Sequence, residues 1–180
     1  MSTPTRLEQF NASYESAQDR IVLRFRTSDD AEFRFWITRR FLSLLWPILM
    51  KMADEFCALK APADPLARSA IAEMAHGNAL GQADFKSTYA EGSTFPLGAE
   101  PVLLAKISLK PIRGEVRTLV LLPQLGQGIN LDLDEKLVHI LARLLQQTAT
   151  AAEWGLKLDI SPGAGDIAAA SSATEPRMLH

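Results

Sequence analysis

Large apolar residues recur at every second position over two stretches between residues 21 and 37, with mostly polar residues between them. Ile21, Leu23 and Phe25 alternate with Val22, Arg24 and Arg26, and Phe33, Phe35 and Ile37 alternate with Glu32, Arg34 and Trp36. A period of two predicts two half-buried strands, and Ser28-Asp29-Asp30 between them has the composition of a turn. Parity selects the register. A three-residue loop pairs Phe25 with Phe33, Leu23 with Phe35 and Ile21 with Ile37, so all the large apolar side chains share one face. The same register sets Arg26 opposite Glu32, a favourable pair, and Arg24 opposite Arg34, an unfavourable one.

The period then changes to that of a helix. Thr38 is placed to cap it, and Phe41, Leu44, Leu45, Ile48, Met52 and Phe56 form one apolar stripe. Leu42, Trp46, Leu49, Ala53 and Cys57 form a second. A helix that is apolar on two sides belongs in a core or an interface, and Pro47 predicts a kink in it. After a linker at 60–65, Asp64 as N-cap and Pro65 at the first helical position start another helix, which weakens at Gly77 and Gly81. Residues 85–89 read as a short strand, followed by a loop rich in glycine and proline. A second hairpin is expected over 102–123, with Pro111 to Gly114 as its loop, Leu109 opposite Val116 and Lys110 opposite Glu115. Its middle reads as buried on both sides. A strand at 129–133 precedes a helix from about Leu133 to Trp154, with Asp132 and Glu135 as a capping box and Gly155 as its C-cap. Leu137, Ile140, Leu141, Leu144, Leu145, Thr148, Ala151 and Ala152 lie on its apolar face. Residues 10–14 offer one further strand.

The expected fold is therefore α+β: an antiparallel β-sandwich or sheet with an inserted helical pair and a C-terminal helix. It divides into an N-terminal segment (1–17), a single α+β domain (18–158) and a disordered tail (159–180) whose Gly, Ala, Ser and Pro residues bury too little to offset ordering entropy. A chain of 180 residues suits one such core. With 19 basic and 21 acidic residues, no overall field draws it to nucleic acid or membrane. Cys57 is the only cysteine, so neither an internal disulfide nor CxxC metal spacing exists. It reads as a small buried hydrophobe on a helix, in a reduced cytoplasm. The first twenty residues lack the apolar run of a signal peptide, and the longest apolar stretch, Phe41 to Met50, is about half of a membrane span.

Candidate chemistry is sparse. His76, His139 and His180 stand at no ligand spacing, and HxxxH, HExxH, GxSxG and phosphate-loop patterns are absent. The expectation is no catalytic residues, no metal and no cofactor. The one anomaly is arginine: Arg20, Arg24, Arg26, Arg34, Arg39 and Arg40 fall within 21 residues, and the register puts Arg24, Arg26 and Arg34 on the outward face of the hairpin. Two readings stay open. One is a solvated face partly neutralised by Glu32, with guanidinium groups over Trp36. The other is a site at Arg24, Arg26, Arg34, Arg39 and Arg40 for an anion, an acidic protein or a nucleic-acid backbone.

The segment RIVLRFRTSDDAEFRFWIT entering a helix at Arg39, with VLLAKISLKP before the last strands, resembles the head domain shared by the centriolar cartwheel protein and the DNA end-joining scaffold that partners the repair ligase. The resemblance spans about Arg20 to Trp154 and rests on the order of elements. It implies a β-sandwich with an inserted helical pair, homodimerisation through the C-terminal helix, and scaffolding rather than catalysis. Together these readings give a non-catalytic assembly or adaptor protein acting as a homodimer. The helices at 39–57 and 133–154 are its candidate interfaces, through Trp46, Leu49, Leu137, Ile140, Leu144, Ala151 and Trp154. The alternative is an anion- or nucleic-acid-binding module using the arginine hairpin.

Overall fold

The computed structural model describes residues 6–60, 64–83 and 87–160. In chain order these form β1 (Leu7–Glu15), β2 (Arg20–Thr27), β3 (Glu32–Ile37), α1 (Arg39–Lys60), α2 (Pro65–Gln82), β4 (Val102–Leu109), β5 (Arg117–Pro123), β6 (Ile129–Leu133) and α3 (Glu135–Ala151). The fold is α+β, and its strands make one six-stranded sheet in the order β1-β2-β3-β4-β5-β6. Neighbours are antiparallel except β3 and β4, which run parallel across the crossover made by α1 and α2.

The β2–β3 register is the one parity selects. Phe25 faces Phe33, Leu23 faces Phe35, Ile21 faces Ile37, Arg24 faces Arg34 and Arg26 faces Glu32. The three-residue loop closes with Thr27 N donating to Ala31 O at 3.0 Å, and Asp30 takes the left-handed φ of +61° that ends such a loop. The strand expected near residues 10–14 extends over Leu7–Glu15 and pairs with β2, Phe10 opposite Phe25. Their rings meet edge-on at 5.3 Å, and Phe25 meets Phe35 at 5.9 Å, which seeds the core on that face.

The second hairpin departs from expectation. Leu109 pairs with Leu119 and Ile107 with Leu121, a slip of three residues that exchanges the two faces. The cause is a separate small turn. Arg113 and Val116 exchange backbone hydrogen bonds of 2.9 and 3.1 Å around Gly114, whose φ is +60°, and Pro111 has no N–H to give a ladder. Residues assigned to strand by pattern are thus used by the turn, and Lys110 N meets Thr118 O instead of Lys110 meeting Glu115. β5 is buried on both sides at its centre, Thr118 to Leu121. Residues 87–89 form no strand, and 84–86 lie outside the described residues, as do 161–180 of the expected tail. Asp159, given to that tail, accepts a hydrogen bond from Trp46 Nε1 on its carbonyl oxygen at 3.2 Å.

α1 starts where Thr38 Oγ1 accepts from Phe41 N at 3.1 Å, and runs through Pro47. α2 starts on Asp64 with Pro65 inside its first turn and continues through Gly77 and Gly81. The cap of α3 is Asp134, which accepts from Leu137 N at 2.8 Å, and not Asp132. Asp132 instead bonds the Thr118 hydroxyl across the β5–β6 pair. The helix ends in a Schellman motif, with Trp154 N to Ala149 O and Glu153 N to Thr150 O. The left-handed residue there is Glu153, φ +54°, two positions before the predicted Gly155. α1 and α3 cover the apolar sheet face; the second stripe of α1 is buried throughout, and of the first only Leu44 is left exposed and Ile48 half-buried. A cavity of about 480 Å³ has Leu7 of β1 on one side and Ile129, Asn130 and Leu131 of β6 on another, so the sheet curls its first strand towards its last.

Candidate functional site

The outward face of β1–β2–β3 carries the arginines. β2 contributes Arg24 and Arg26, β3 contributes Glu32 and Arg34, and β1 contributes Gln9 and Asn11. A bulge in β1 between Leu7 and Gln9 brings Glu8 round as well, so that Arg26 Nη2 donates to Glu8 Oε2 at 3.1 Å. Arg24 Nε donates to Asn11 Oδ1 at 3.0 Å, directly across the ladder. Arg34 Nε donates to Glu32 Oε1 at 2.6 Å and its Nη1 to Ala99 O at 3.2 Å. Glu91 lies 3.5 Å from Arg24 and 3.6 Å from Arg34, so its carboxylate separates the two like charges that face each other across the strands.

A segment between α2 and β4 roofs this face. Arg24 sits 5.0 Å from the Tyr89 ring centre and Arg34 4.7 Å from that of Phe95. Glu32 is fully buried, and its second oxygen accepts from Gly92 N at 2.7 Å. Gly92 is required there, because a Cβ would lie 2.8 Å from both Asp30 O and Glu32 Cβ. Thr94 then forms a parallel bridge with Ala31, with Glu32 N donating to Thr94 O at 2.8 Å. Glu32 raises the affinity of the Arg34 guanidinium for its proton, chiefly by the hydrogen bond that Arg34 Nε donates to Glu32 Oε1. Burial pushes the Tyr89 hydroxyl well above its ordinary range.

The electrostatic outcome is the reverse of a basic patch. Three guanidinium groups meet four carboxylates, those of Glu8, Asp30, Glu32 and Glu91. The arginine side chains are 20–24% exposed, whereas Glu8, Asp30 and Glu91 are 44%, 50% and 66% exposed. What solvent meets first is acidic. Arg39 and Arg40 are exposed on the first turn of α1, outside this cluster, and Arg20 lies over Trp36 at 6.0 Å.

The expected interface residues divide in two. Trp46, Leu49 and Trp154 are buried in the chain's own core. Trp154 is fixed there by its Nε1, which donates to Asp19 Oδ1 at 2.7 Å, while Tyr14 donates to the same oxygen at 2.9 Å. These two bonds hold the Asp19 carboxyl below its usual pKa. Leu137, Ile140 and Leu144 are half-buried and line a cavity of about 390 Å³ with Phe10 and the end of α2; Ala151 is exposed. The buried side of α3 runs through Val138, Leu141, Ala142, Leu145 and Ala149, rotated from the stripe the spacing marks out.

One juxtaposition has no sequence signal. His76 of α2 and His139 of α3, 63 residues apart, bring their Nδ1 atoms to 3.3 Å. Burial lowers both imidazole pKa values, that of His139 to about 4. Cys57 is buried near Glu135, which pairs with Lys60, and burial pushes its thiol up to about 11. Among the described residues no three His, Cys, Asp or Glu side chains converge as metal ligands. No helix among them is long and apolar enough to cross a membrane. Compared with protein-family models, curated proteins and solved structures, the chain finds no match in any of the three.

Proposed function

We propose that the protein is a cytoplasmic, non-catalytic assembly or adaptor module that acts as a homodimer through the outward face of α2. Gly77 and Gly81 carry this reading. Each costs a helix about 1 kcal/mol relative to alanine, yet a Cβ at either position meets no atom within 4 Å among the described residues. Among the described residues, nothing in the chain's own packing gives a reason for them. A second helix backbone approaching closely would, since one-turn spacing of small residues is what permits such contact. The same face carries Leu66 and Met74, exposed at 82% and 67%, with Ala70 between them. α1 and α3 are less suited to the role, because most of their aromatic and aliphatic side chains, Trp46, Leu49, Leu141, Leu145 and Trp154 beside α3 among them, are buried in the chain's own core. The resemblance to the cartwheel and end-joining head domains adds weight to a scaffolding role through the helical pair that follows the early strands. It adds none to a stalk, since α3 packs on its own sheet and helices.

The anion- or nucleic-acid-binding alternative loses support from the arginine face, where the chain's own carboxylates already occupy the guanidinium groups. Light scattering of the full chain at tens of micromolar should give a dimer mass. Gly77→Ala with Gly81→Ala should make the fold more stable by up to about 2 kcal/mol while shifting it towards monomer. A monomeric parent, or a double variant that stays dimeric, would overturn the reading.

A further inference from the structure

We infer that His76 and His139 form a one-proton latch that ties α2 to α3 and that acid opens, releasing α2 while the sheet and the other two helices stand. The geometry sets the proton count. Two Nδ1 atoms 3.3 Å apart can share a single hydrogen, one ring donating and the other accepting. His139 Nε2 is buried without a partner among the described residues. If His139 were the acceptor, its own hydrogen would sit on that Nε2 as a buried orphan donor, the costlier of the two arrangements. His139 therefore donates through Nδ1, and half-buried His76 accepts while keeping its hydrogen on Nε2.

A second proton finds no place in this arrangement. On His76 it can enter only at Nδ1, against the N–H of His139. Moving the His139 hydrogen to Nε2 to make room would bury an unpaired donor. The neighbouring charges do not rescue the protonated form. Arg143 of α3 faces His76 and opposes it. Glu135, one turn before His139, favours it, but Lys60 of α1 is paired with that carboxylate and opposes it in turn, and the Cys57 thiol lies against the same Glu135.

α2 is the element such a latch would free. It buries only Ala72 and Ala79 fully. Among the described residues no other side-chain hydrogen bond ties it to α1 or α3. A metal ion could also hold two imidazole nitrogens at this separation, as tetrahedral zinc does. That would require both Nδ1 atoms bare and hence the same buried, unpaired N–H on His139, and among the described residues no third ligating side chain joins the pair.

The test is amide hydrogen exchange of the full chain from pH 7.5 to 4.5, corrected for intrinsic rates, with imidazole titrations followed by NMR. Protection of α2 should fall by up to about a hundredfold per pH unit below about 6.5, since opening frees two imidazoles, and should be lost at a pH where the amides of β2 and β5 remain protected. Both imidazoles should resist protonation until α2 opens. The variant His76→Leu with His139→Leu should make α2 indifferent to pH. If that variant does not fold, the parent's titrations decide alone. Independent titration of the two rings near 6.5, or loss of α2 and sheet protection together, would overturn the latch. So would zinc at pH 7.5, should it raise the melting temperature in the parent and not in His76→Leu. This inference does not depend on α2 being a dimer face: the exchange experiment reads α2 within each chain, and light scattering reads the assembly.

Discussion

Single residues on the arginine face test how the roof is held. Gly92→Ala should destabilise the protein by about 2 kcal/mol, because backbone and not a flexible side-chain end blocks the added methyl; urea titration measures it. Glu32→Ala should cost roughly 3 kcal/mol, leaving Arg34 half-paired and Gly92 N without its acceptor. Glu91→Ala, at an exposed carboxylate, should cost under about 1 kcal/mol. Cys57 should stay unmodified by a thiol reagent at pH 8 until denaturant is added, since burial keeps its proton in place. The sequence told part of this. Alternation placed Arg24, Arg26 and Arg34 together and set Arg24 against Arg34. It could not place Glu91 or Tyr89, which arrive from 67 and 65 positions beyond Arg24 and follow no period.

At the scale of elements, pattern sufficed where one local rule acts alone. Asp64 before Pro65 gives the α2 cap, and inward-facing Ile21, Leu23 and Phe25 give the hairpin register. It failed where two local solutions compete. Either Asp132 or Asp134 can cap α3, and Asp134 does so because Asp132 is engaged with Thr118 on the sheet. Gly114 serves a two-residue turn better than a four-residue one, which moved the second hairpin by three positions. The His76–His139 contact also belongs to this scale, because only the packing of α2 on α3 creates it. Its pH dependence follows from the lowered pKa. The native form of His139 binds its proton near pH 4 and the unfolded form near 6.5, so the unfolded state takes up more protons between them. Stability should fall as pH drops from 6.5 towards 4, with about 3 kcal/mol of the loss coming from His139. Chemical denaturation midpoints across that range measure it, with His139→Leu expected to flatten this part of the profile.

For the whole molecule, sheet order equals chain order, so β1–β2–β3 and β4–β5–β6 are two meanders of local contacts. They meet at a parallel seam of two residue pairs, Phe35 with Val102 and Trp36 with Leu103. Long-range pairing of that kind forms late, after loop closure. Val102→Ala should therefore speed unfolding more than it slows folding, whereas Leu23→Ala in the first hairpin should slow folding; stopped-flow chevrons separate the two. So narrow a suture also makes the protein divisible. Cut on the approach to β4 and expressed as two pieces, the chain should reassemble by fragment complementation, each half bringing a ready-made ribbon and needing its counterpart only to close the shared core.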